Sequence, residues 1–531
     1  MTKKQAIIIN VLVISVLALG MAVSRQLWFR ADLTRDRLFT ISEVSRNLHH
    51  EISSYVQITY YISDRLRAIH PIPGEIEDML RVYAAFSRGR IRVVSRDPVR
   101  ANLVREVEQL GILPQQVPVV ERDQTSVMTV YSGIVIEYLD QIEVLPIVFS
   151  LETLEYDLTS RIRSMVRGRT REVGIIFTGH DPRIWSEDFR FLQTALWQAG
   201  YTFRMIFPGD EIPETLPVIM VLGGAETLDE IALFQIDRYI QTGGRVFFAV
   251  KSTYIDRENL NARALWDNGL LEMIASYGVT ILPEIAMDVT ALPMWYQSPT
   301  PIGMMQRRIL NPQWIRVLSE YGNRMHPVTA RFGGIDLFYA NPLVLNPPEG
   351  VEAEFLFTST EDAWSMREPF ITNPHRVFDM ERDAFLTSGR KILGASLSGV
   401  FPSWFEGRPE PSSWDGQTLP QRPDEARPSR IVVIGETDFI SSFIGLSDGG
   451  QQSLNFIIQA IDWLNNEDDI LGIRSRQTTS GMLDRIFHPE RRAAAILTVQ
   501  IINLGLMPLL VIVGGITYNI TRKAKAKGVP K

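Results

Sequence analysis

One histidine, three carboxylates and several glycines directly follow predicted β-strands and could together form a ligand site. Ligands of doubly wound sheets bind outside the carboxyl ends of the strands, so these side chains are expected to meet there. Glycines at such positions let a ligand approach the backbone closely. The alternative is that these residues serve turns and helix caps alone. The candidate residues are His180, Asp181, Gly223, Gly224, Glu436 and Asp438.

Several kinds of chemistry are excluded by the absence of their motifs. The chain has no Gly-Lys-Ser or Gly-Lys-Thr, no His-Glu-x-x-His and no Gly-x-Ser-x-Gly, so P-loop nucleotide binding and two hydrolase types are not expected. The absence of cysteine removes disulfides, zinc-thiolate sites and iron–sulfur clusters. The adjacent His49 and His50 would point about 100° apart on a helix and cannot easily share an ion. We therefore predict no catalytic residue, no metal and no cofactor.

The candidate residues are positioned by a regular alternation of strands and helices. Short apolar runs at 172–178, 218–222, 245–250 and 430–435 are typical of strands buried on both faces of a sheet. A helix ends at Gly200, and a second helix begins with a capping box at Thr227 and Glu230 and runs to Gln241. A later apolar stripe extends from Leu454 to Leu464. Two consecutive strand–helix–strand units predict a larger, doubly wound, mostly parallel sheet.

The preceding part of the chain predicts a smaller α/β domain. Helices are expected at 43–51, 76–86 and 152–166, and strands at 56–62, 90–97, 126–139 and 143–148. A run of arginines should then form an exposed basic boundary between the two domains. Segments 291–313 and 402–430 are rich in Pro, Trp and polar residues and predict long surface excursions. The boundary arginines are Arg161, Arg163, Arg167, Arg169 and Arg171.

Both ends of the chain carry uncharged apolar runs long enough to cross a membrane, at 5–24 and 493–521. A cleaved signal peptide is the alternative for the first run, although the run exceeds the usual length of a signal h-region. The basic tail after the second run predicts cytoplasmic termini, which places the bulk of the chain outside the cytoplasm. The expected division is 1–4 cytoplasmic, 5–24 transmembrane, 25–170 small α/β domain, 171–465 doubly wound domain with long insertions, 466–492 polar linker, 493–521 transmembrane and 522–531 cytoplasmic tail.

The charge balance bears on the class of partner. Lys and Arg total 54 against 61 Asp and Glu, so the net charge is 54 − 61 = −7. A dedicated nucleic-acid binder usually carries a basic excess on its binding domain, so no nucleic-acid partner is expected. The apolar runs predict contact with membrane lipid.

The order and spacing of short motifs along nearly the whole chain resemble a known family, the auxiliary component of gliding-motility-type ABC transport systems. Each motif is weak alone, and Glu436 stands where an Asp is commoner in that family. The motifs are Asp32-Leu33-Thr34, 38–42, 60–63, 154–159, 222–224, 236–245, Val433-Ile434-Gly435-Glu436-Thr437-Asp438-Phe439, 461–464 and 472–474.

The resemblance implies a non-catalytic extracytoplasmic subunit, anchored in a bacterial inner membrane by two spans. It would work with a separate multispanning permease and a separate cytoplasmic P-loop ATPase. It also implies a central domain similar to one shared with an intraflagellar transport protein and to glutamine-amidotransferase-like α/β folds. No catalytic residue is carried over, and motility itself is not implied. Two rivals are a membrane-tethered, hydrolase-like enzyme that uses the strand-end cluster, and an envelope scaffold with no ATPase partner. Substituting His180 and Asp438 by Ala would abolish function only in the enzyme.

Overall fold

The computed structural model describes residues 41–465, except 122–123, 150, 152, 169–170, 180–186, 208–209, 225–227, 257–258, 267, 301–302, 331, 374–375, 377–387, 412, 415–416 and 448. All of the described residues belong to one compact unit. Within it, a small sheet precedes a larger one, and helices pack on both.

The small sheet is built from the first part of the chain in the order β2-β1-β5-β6. Strand β1 is parallel to β2 and antiparallel to β5, and β3 and β4 form a separate hairpin. The predicted helix 43–51 and strand 56–62 have the observed bounds. The elements are α1 Glu43–Glu51, β1 Val56–Ile62, α2 Asp64–Ile69, α3 Ile72–Ala85, β2 Ile91–Arg96, α4 Val104–Gln109, β3 Gln115–Glu121, β4 Gln124–Val130, β5 Ser132–Tyr138, β6 Gln141–Leu145 and α5 Leu154–Arg167.

Helices α1 and α3 cover one face of the small sheet with a shared apolar core. In α1, His49 is buried and its ring packs edge-on against Tyr83, with ring centroids 4.7 Å apart. Burial disfavours the charged imidazolium and lowers the pKa of His49 to about 4. His49 is thus a neutral core residue of α1, and its neighbour His50 is exposed.

The larger part of the chain contributes the remaining elements, including three short 3₁₀ helices. The strands are β7 Glu172–Phe177, β8 Thr202–Met205, β9 Val218–Gly223, β10 Arg245–Val250, β11 Thr253–Ile255, β12 Ala262–Ala264, β13 Val279–Ile281, β14 Ile285–Met287, β15 Ala291–Thr300, β16 Gly303–Val317, β17 Ile335–Phe338, β18 Leu343–Leu345, β19 Val351–Thr358, β20 Trp364–Met366, β21 Ile392–Gly399, β22 Ser413–Trp414, β23 Gln417–Thr418 and β24 Ser429–Ile434. The helices are α6 Arg190–Gln198, α7 Glu230–Gln241, α8 Gly269–Ser276, α9 Gly450–Leu464 and the 3₁₀ turns Ser319–Tyr321, Asp438–Ile440 and Ser442–Leu446.

The large sheet has nine strands in the order β13-β18-β21-β24-β10-β9-β7-β8, with β19 also pairing with β21. Strands β8, β7, β9, β10 and β24 are parallel to their neighbours in this series. Strands β21, β19, β18 and β13 extend the sheet in antiparallel fashion. The parallel part has the 2-1-3-4-5 order of a flavodoxin-like sheet, whose switch point lies between β7 and β9.

Helices cover both faces of the parallel part, as a doubly wound sheet requires. Helices α6 and α9 share one apolar core with β7, β9 and β10, and helices α7 and α8 share the core on the opposite face. Asp229 caps the N-terminus of helix α7, because its carboxylate accepts a hydrogen bond of 2.7 Å from the Ala232 amide. The sequence had indicated Thr227 as the cap, but Asp229 precedes the first helical residue and occupies the position that a cap requires.

Segment 291–313, predicted as a long surface excursion, forms most of the long hairpin β15–β16, which pairs with β17 in a three-stranded sheet. The prediction that the boundary arginines form an exposed group is wrong. Among the boundary arginines, Arg161, Arg163 and Arg171 are buried. Arg161 lies inside because its guanidinium donates to the Gln198 carbonyl at 2.8 Å, and hydrogen bonding is what makes a buried cation tolerable.

A buried carboxylate near the end of α9 joins the two sheets. Asp462 accepts hydrogen bonds from the hydroxyl of Tyr156 on α5, from the hydroxyl of Tyr201 at 2.6 Å and from the Arg171 guanidinium at 3.2 Å. The guanidinium also lies 4.2 Å from the centre of the Tyr201 ring. Asp462 thereby ties α5 and the start of β7 to the last turn of α9.

The prediction of two flanking transmembrane helices is corrected. In the described ranges no helix is long and apolar enough to cross a membrane. The longest, α9, has 15 residues, whereas a span needs about 20. The apolar runs at 5–24 and 493–521 both lie outside the described residues. The fold that is described is mixed α/β, and the inner-membrane localisation with two spans is not supported.

Candidate functional site

The structure brings Lys251, Glu436 and Asp438 together at the carboxyl edge of the parallel strands. Lys251 directly follows β10, and the two carboxylates follow β24, which pairs with β10 in parallel. The Lys251 ammonium lies 3.4 Å from a Glu436 carboxylate oxygen and forms a closer ion pair with Asp438. The arrangement is a single cation shared between two carboxylates.

Glu436 is fully buried and also binds the backbone of the 3₁₀ turn that follows it. Its carboxylate accepts hydrogen bonds from the amides of Asp438 and Phe439, the latter at 2.7 Å. Burial raises the pKa of Glu436 to about 7, and the nearby Lys251 opposes that rise. Glu436 therefore joins Lys251 to the start of the turn, and its burial favours the protonated carboxyl group more than water does.

The hydroxyl groups around this cluster are bonded to the backbone. The Thr437 hydroxyl contacts the carbonyls of Gly223 at 2.9 Å and Ala249 at 2.6 Å, which links the ends of β9, β10 and β24. The Ser441 hydroxyl donates to the Asp438 carbonyl at 2.8 Å. Because these hydroxyls are aimed at carbonyl oxygens, neither forms the nucleophile–base pair that covalent catalysis would need.

Gly223 and Gly224 lie beside the cluster and allow the strand-end loops to pack closely. Both have positive φ angles, of 131° and 107°. A Cβ atom on Gly223 would overlap the Thr178 hydroxyl, and one on Gly224 would overlap the backbone of Lys251. The Gly224 amide donates to the Thr178 hydroxyl at 2.8 Å. The glycines are thus required by the approach of neighbouring protein segments.

Four of the six predicted residues are therefore adjacent: Gly223, Gly224, Glu436 and Asp438. His180 and Asp181 lie outside the described residues. The sequence analysis missed Lys251. This residue directly follows its strand, β10, just as the predicted site residues stand at the ends of β9 and β24. The predicted ligand site at this edge stays a prediction. Across the described ranges no group of His, Asp and Glu residues could hold a metal ion.

Several known proteins and domains are similar to parts or most of the chain. A domain of unknown function, DUF7088, matches residues 35–137. An uncharacterized protein of Borreliella burgdorferi is 23% identical over 510 residues, which cover 94% of each chain. Among solved structures, the mmIFT52 N-terminal domain aligns with a TM-score of 0.33 and 10% identity, over 55% of this chain and 97% of that chain. The exo-β-1,4-mannosidase Op5Man5 from Opitutaceae bacterium strain TAV5 aligns with a TM-score of 0.24 and 11% identity, over 73% of this chain and 48% of that chain.

The family that matches the central region is described as an ABC-type uncharacterized transport system, and its match extends over residues 170–471. This range includes the whole large sheet, the strand-end cluster and helix α9. Because the match covers more than half of the chain, the protein belongs to this family and is an auxiliary component of an ABC-type transport system.

Proposed function

We propose that this protein is a non-catalytic accessory subunit that binds the permease of its transport system and works with a separate P-loop ATPase. The observation that carries the proposal is the family match over residues 170–471. The absence of any Gly-Lys-Ser or Gly-Lys-Thr supports it, because the energy of ATP must then enter through another chain. The folded α/β region would supply the surface for partner or cargo.

The geometry of the strand-end cluster favours this role over the hydrolase-like alternative. Lys251 is ion-paired with both Glu436 and Asp438, and the Thr437 hydroxyl contacts backbone carbonyls. Groups so engaged hold the ends of three strands in one arrangement. A binding subunit needs such a rigid frame beneath its contact surface, because rigidity lowers the entropy cost of association.

The proposal is tested by purifying the full-length tagged protein from its native host in mild detergent and identifying its companions by mass spectrometry. We expect a multispanning permease and a P-loop ATPase at reproducible stoichiometry, both missing from a parallel purification of an unrelated tagged protein. Recovery of the protein alone across several detergents would overturn the proposal.

A pair of variants separates the accessory role from the enzyme. His180→Ala and Asp438→Asn each remove a side-chain group that the hydrolase-like hypothesis requires. The accessory role predicts that both variants retain the permease and the ATPase, and that His180→Ala supports transport at wild-type level, whereas Asp438→Asn loses transport only in proportion to any loss of folded protein, because Asp438 pairs with Lys251. Loss of transport in both variants, with the assembly and the thermal unfolding unchanged, would favour the enzyme.

A further inference from the structure

The hairpin β15–β16 carries an exposed face on which large apolar side chains surround one arginine. Trp295 is 61% exposed and Leu310 is 60% exposed, and both lie on this face. Arg308 is exposed directly opposite Trp295 in the strand register, and Pro293 lies opposite Leu310. We call the surface formed by Trp295, Arg308, Leu310 and Met304 the hairpin face.

The alternation of burial along β16 shows that this face is a regular surface of the sheet. Ile309, Asn311 and Gln313 point inward and are buried, whereas Arg308 and Leu310 point outward. Nearer the turn, Met304 and Met305 are both exposed, so β16 is open to solvent on both faces at these two residues. From Ile309 onward the inner face of β16 is buried, and the outer face presents Leu310 to solvent.

Residue types on the hairpin face match those that dominate protein–protein contacts. Tryptophan, methionine and arginine are enriched at interfaces, and tryptophan and arginine contribute most of the binding energy. Within the part of the chain that the structure describes, Arg308 makes no ion pair. A partner that covered the apolar side chains would also bury the Arg308 guanidinium. Because burying a cation without an ion pair costs free energy, we expect the partner to present a carboxylate to Arg308.

The edge of the hairpin is less suited to binding than its face. Strand β15 forms the edge of its three-stranded sheet, and it contains Pro293 and Pro299. Proline lacks the N–H that an added strand would need, and edge prolines are a common protection against strand addition. A partner is therefore expected to contact side chains of the face and not to extend the sheet.

The base of the hairpin is held rigidly, which suits a preformed binding surface. Arg316 at the end of β16 forms two hydrogen bonds of 2.9 Å with Asp336 on β17. Asp336 also accepts a hydrogen bond from Ser447, just before α9. Trp314 packs against Phe338 with ring centroids 5.2 Å apart. A partner bound to the hairpin face would thus contact a hairpin whose base is hydrogen-bonded, through Asp336 and Ser447, to the segment just before α9.

We propose that the hairpin face is a docking surface for a protein partner that presents a carboxylate flanked by apolar side chains. Resting on the proposed function, that partner is the permease of the same transport system. Trp295 and Leu310 supply the apolar contacts, and Arg308 forms an ion pair that becomes desolvated on docking.

The test is photo-crosslinking in the native host with full-length protein that carries p-benzoylphenylalanine at position 295 or 310. Position 99 is the matched control, because Val99 is also 61% exposed but lies in the small-sheet region. We expect adducts with the permease from 295 and 310 and none from 99. Combining position 310 with Arg308→Glu should lower the adduct yield at least about tenfold, and Arg308→Lys should retain most of it, as expected for a loss of 1.4 kcal/mol or more.

Equal yields at all three positions, or adducts only with a second copy of this chain or only with lipid, would overturn the docking surface. Non-irradiated samples are purified in parallel to separate this result from a failure of the proposed function. If the permease co-purifies but no adduct forms at 295 or 310, the docking surface is wrong and the accessory role stands. If the permease is missing from the irradiated and the non-irradiated samples alike, the docking surface and the accessory role both fail.

Discussion

Replacing Asp462 by Asn should loosen helices α5 and α9 together. Asp462 is fully buried and accepts hydrogen bonds from Tyr156, Tyr201 and Arg171. The substitution keeps the shape of the side chain but removes its charge, so Arg171 loses its ion pair with α9. The Arg171 side chain is only 3% exposed, and water cannot replace the lost carboxylate.

The expected magnitude follows from the burial of this pair. Removing one partner of a buried ion pair typically costs about 3–5 kcal/mol. Since about 1.36 kcal/mol corresponds to a factor of ten, hydrogen-exchange protection of amides that exchange through opening of this junction should fall roughly 10²- to 5 × 10³-fold. Tyr156→Phe removes a hydroxyl that donates to a charged acceptor and should cost about 1.5–3 kcal/mol.

Amide hydrogen exchange measured by mass spectrometry is the appropriate assay, because it reports α5 and α9 separately from the rest of a large chain. The control is Asp78→Asn, which removes the same group from an exposed pair with Arg81 that is 2.8 Å apart. Exposed pairs contribute about 0.2–1 kcal/mol, so protection in this control should change less than tenfold. If Asp462→Asn leaves α5 unchanged while α9 loosens, or if it resembles Asp78→Asn, the inferred junction does not exist.

Three further predictions concern titration and close packing. The pKa of Glu436 is raised from 4.5 to about 7, so its contribution to the free energy of unfolding is fully present below pH 4.5 and is lost as the pH rises through 7. Glu436→Gln should therefore flatten the dependence of the urea midpoint on pH between 4.5 and 7. An unchanged dependence on pH would contradict this assignment. The pKa of His49 is lowered from 6.5 to about 4, so its contribution to the free energy of unfolding is present above pH 6.5 and is lost as the pH falls through 4. His49→Phe should remove this loss of stability in acid. If the loss persists in the variant, the assignment to His49 is wrong. In thermal unfolding, Gly224→Ala should destabilise the protein by more than Gly89→Ala. Both glycines have positive φ angles, but only a Cβ atom at position 224 would meet backbone atoms of Lys251. Equal losses of stability in the two variants, near the roughly 1–3 kcal/mol of backbone strain alone, would refute the packing argument.

Local pattern was sufficient for four of the five parallel strands of the large sheet. The apolar runs that became β7, β9, β10 and β24 are short and continuous, as expected for strands covered by helices on both faces. The hairpin β15–β16 was missed because its prolines and exposed apolar residues do not alternate cleanly in the sequence. Its pairing with β17 and the buried residues of its inner face make it regular.

The candidate site was predicted in part, for a definite physical reason. Its glycines and carboxylates follow strands, and parallel strands end at one edge of a sheet. Lys251 follows a strand equally directly, but a lone lysine after an apolar run is usually a solvated surface residue. Only the adjacency of β10 and β24 turns it into the partner of Glu436 and Asp438.

The sequence by itself determined the family, the alternation of strands and helices, and the absence of a P-loop, since each depends on residues close together in the chain. The tertiary structure decided that Arg161 and Arg171 are buried and that Asp462 meets Tyr156, 306 positions away. It also decided that residues 303–317 form one long strand of a hairpin. Hydrophobic periodicity is a local property, whereas these contacts depend on the order in which distant strands and helices pack.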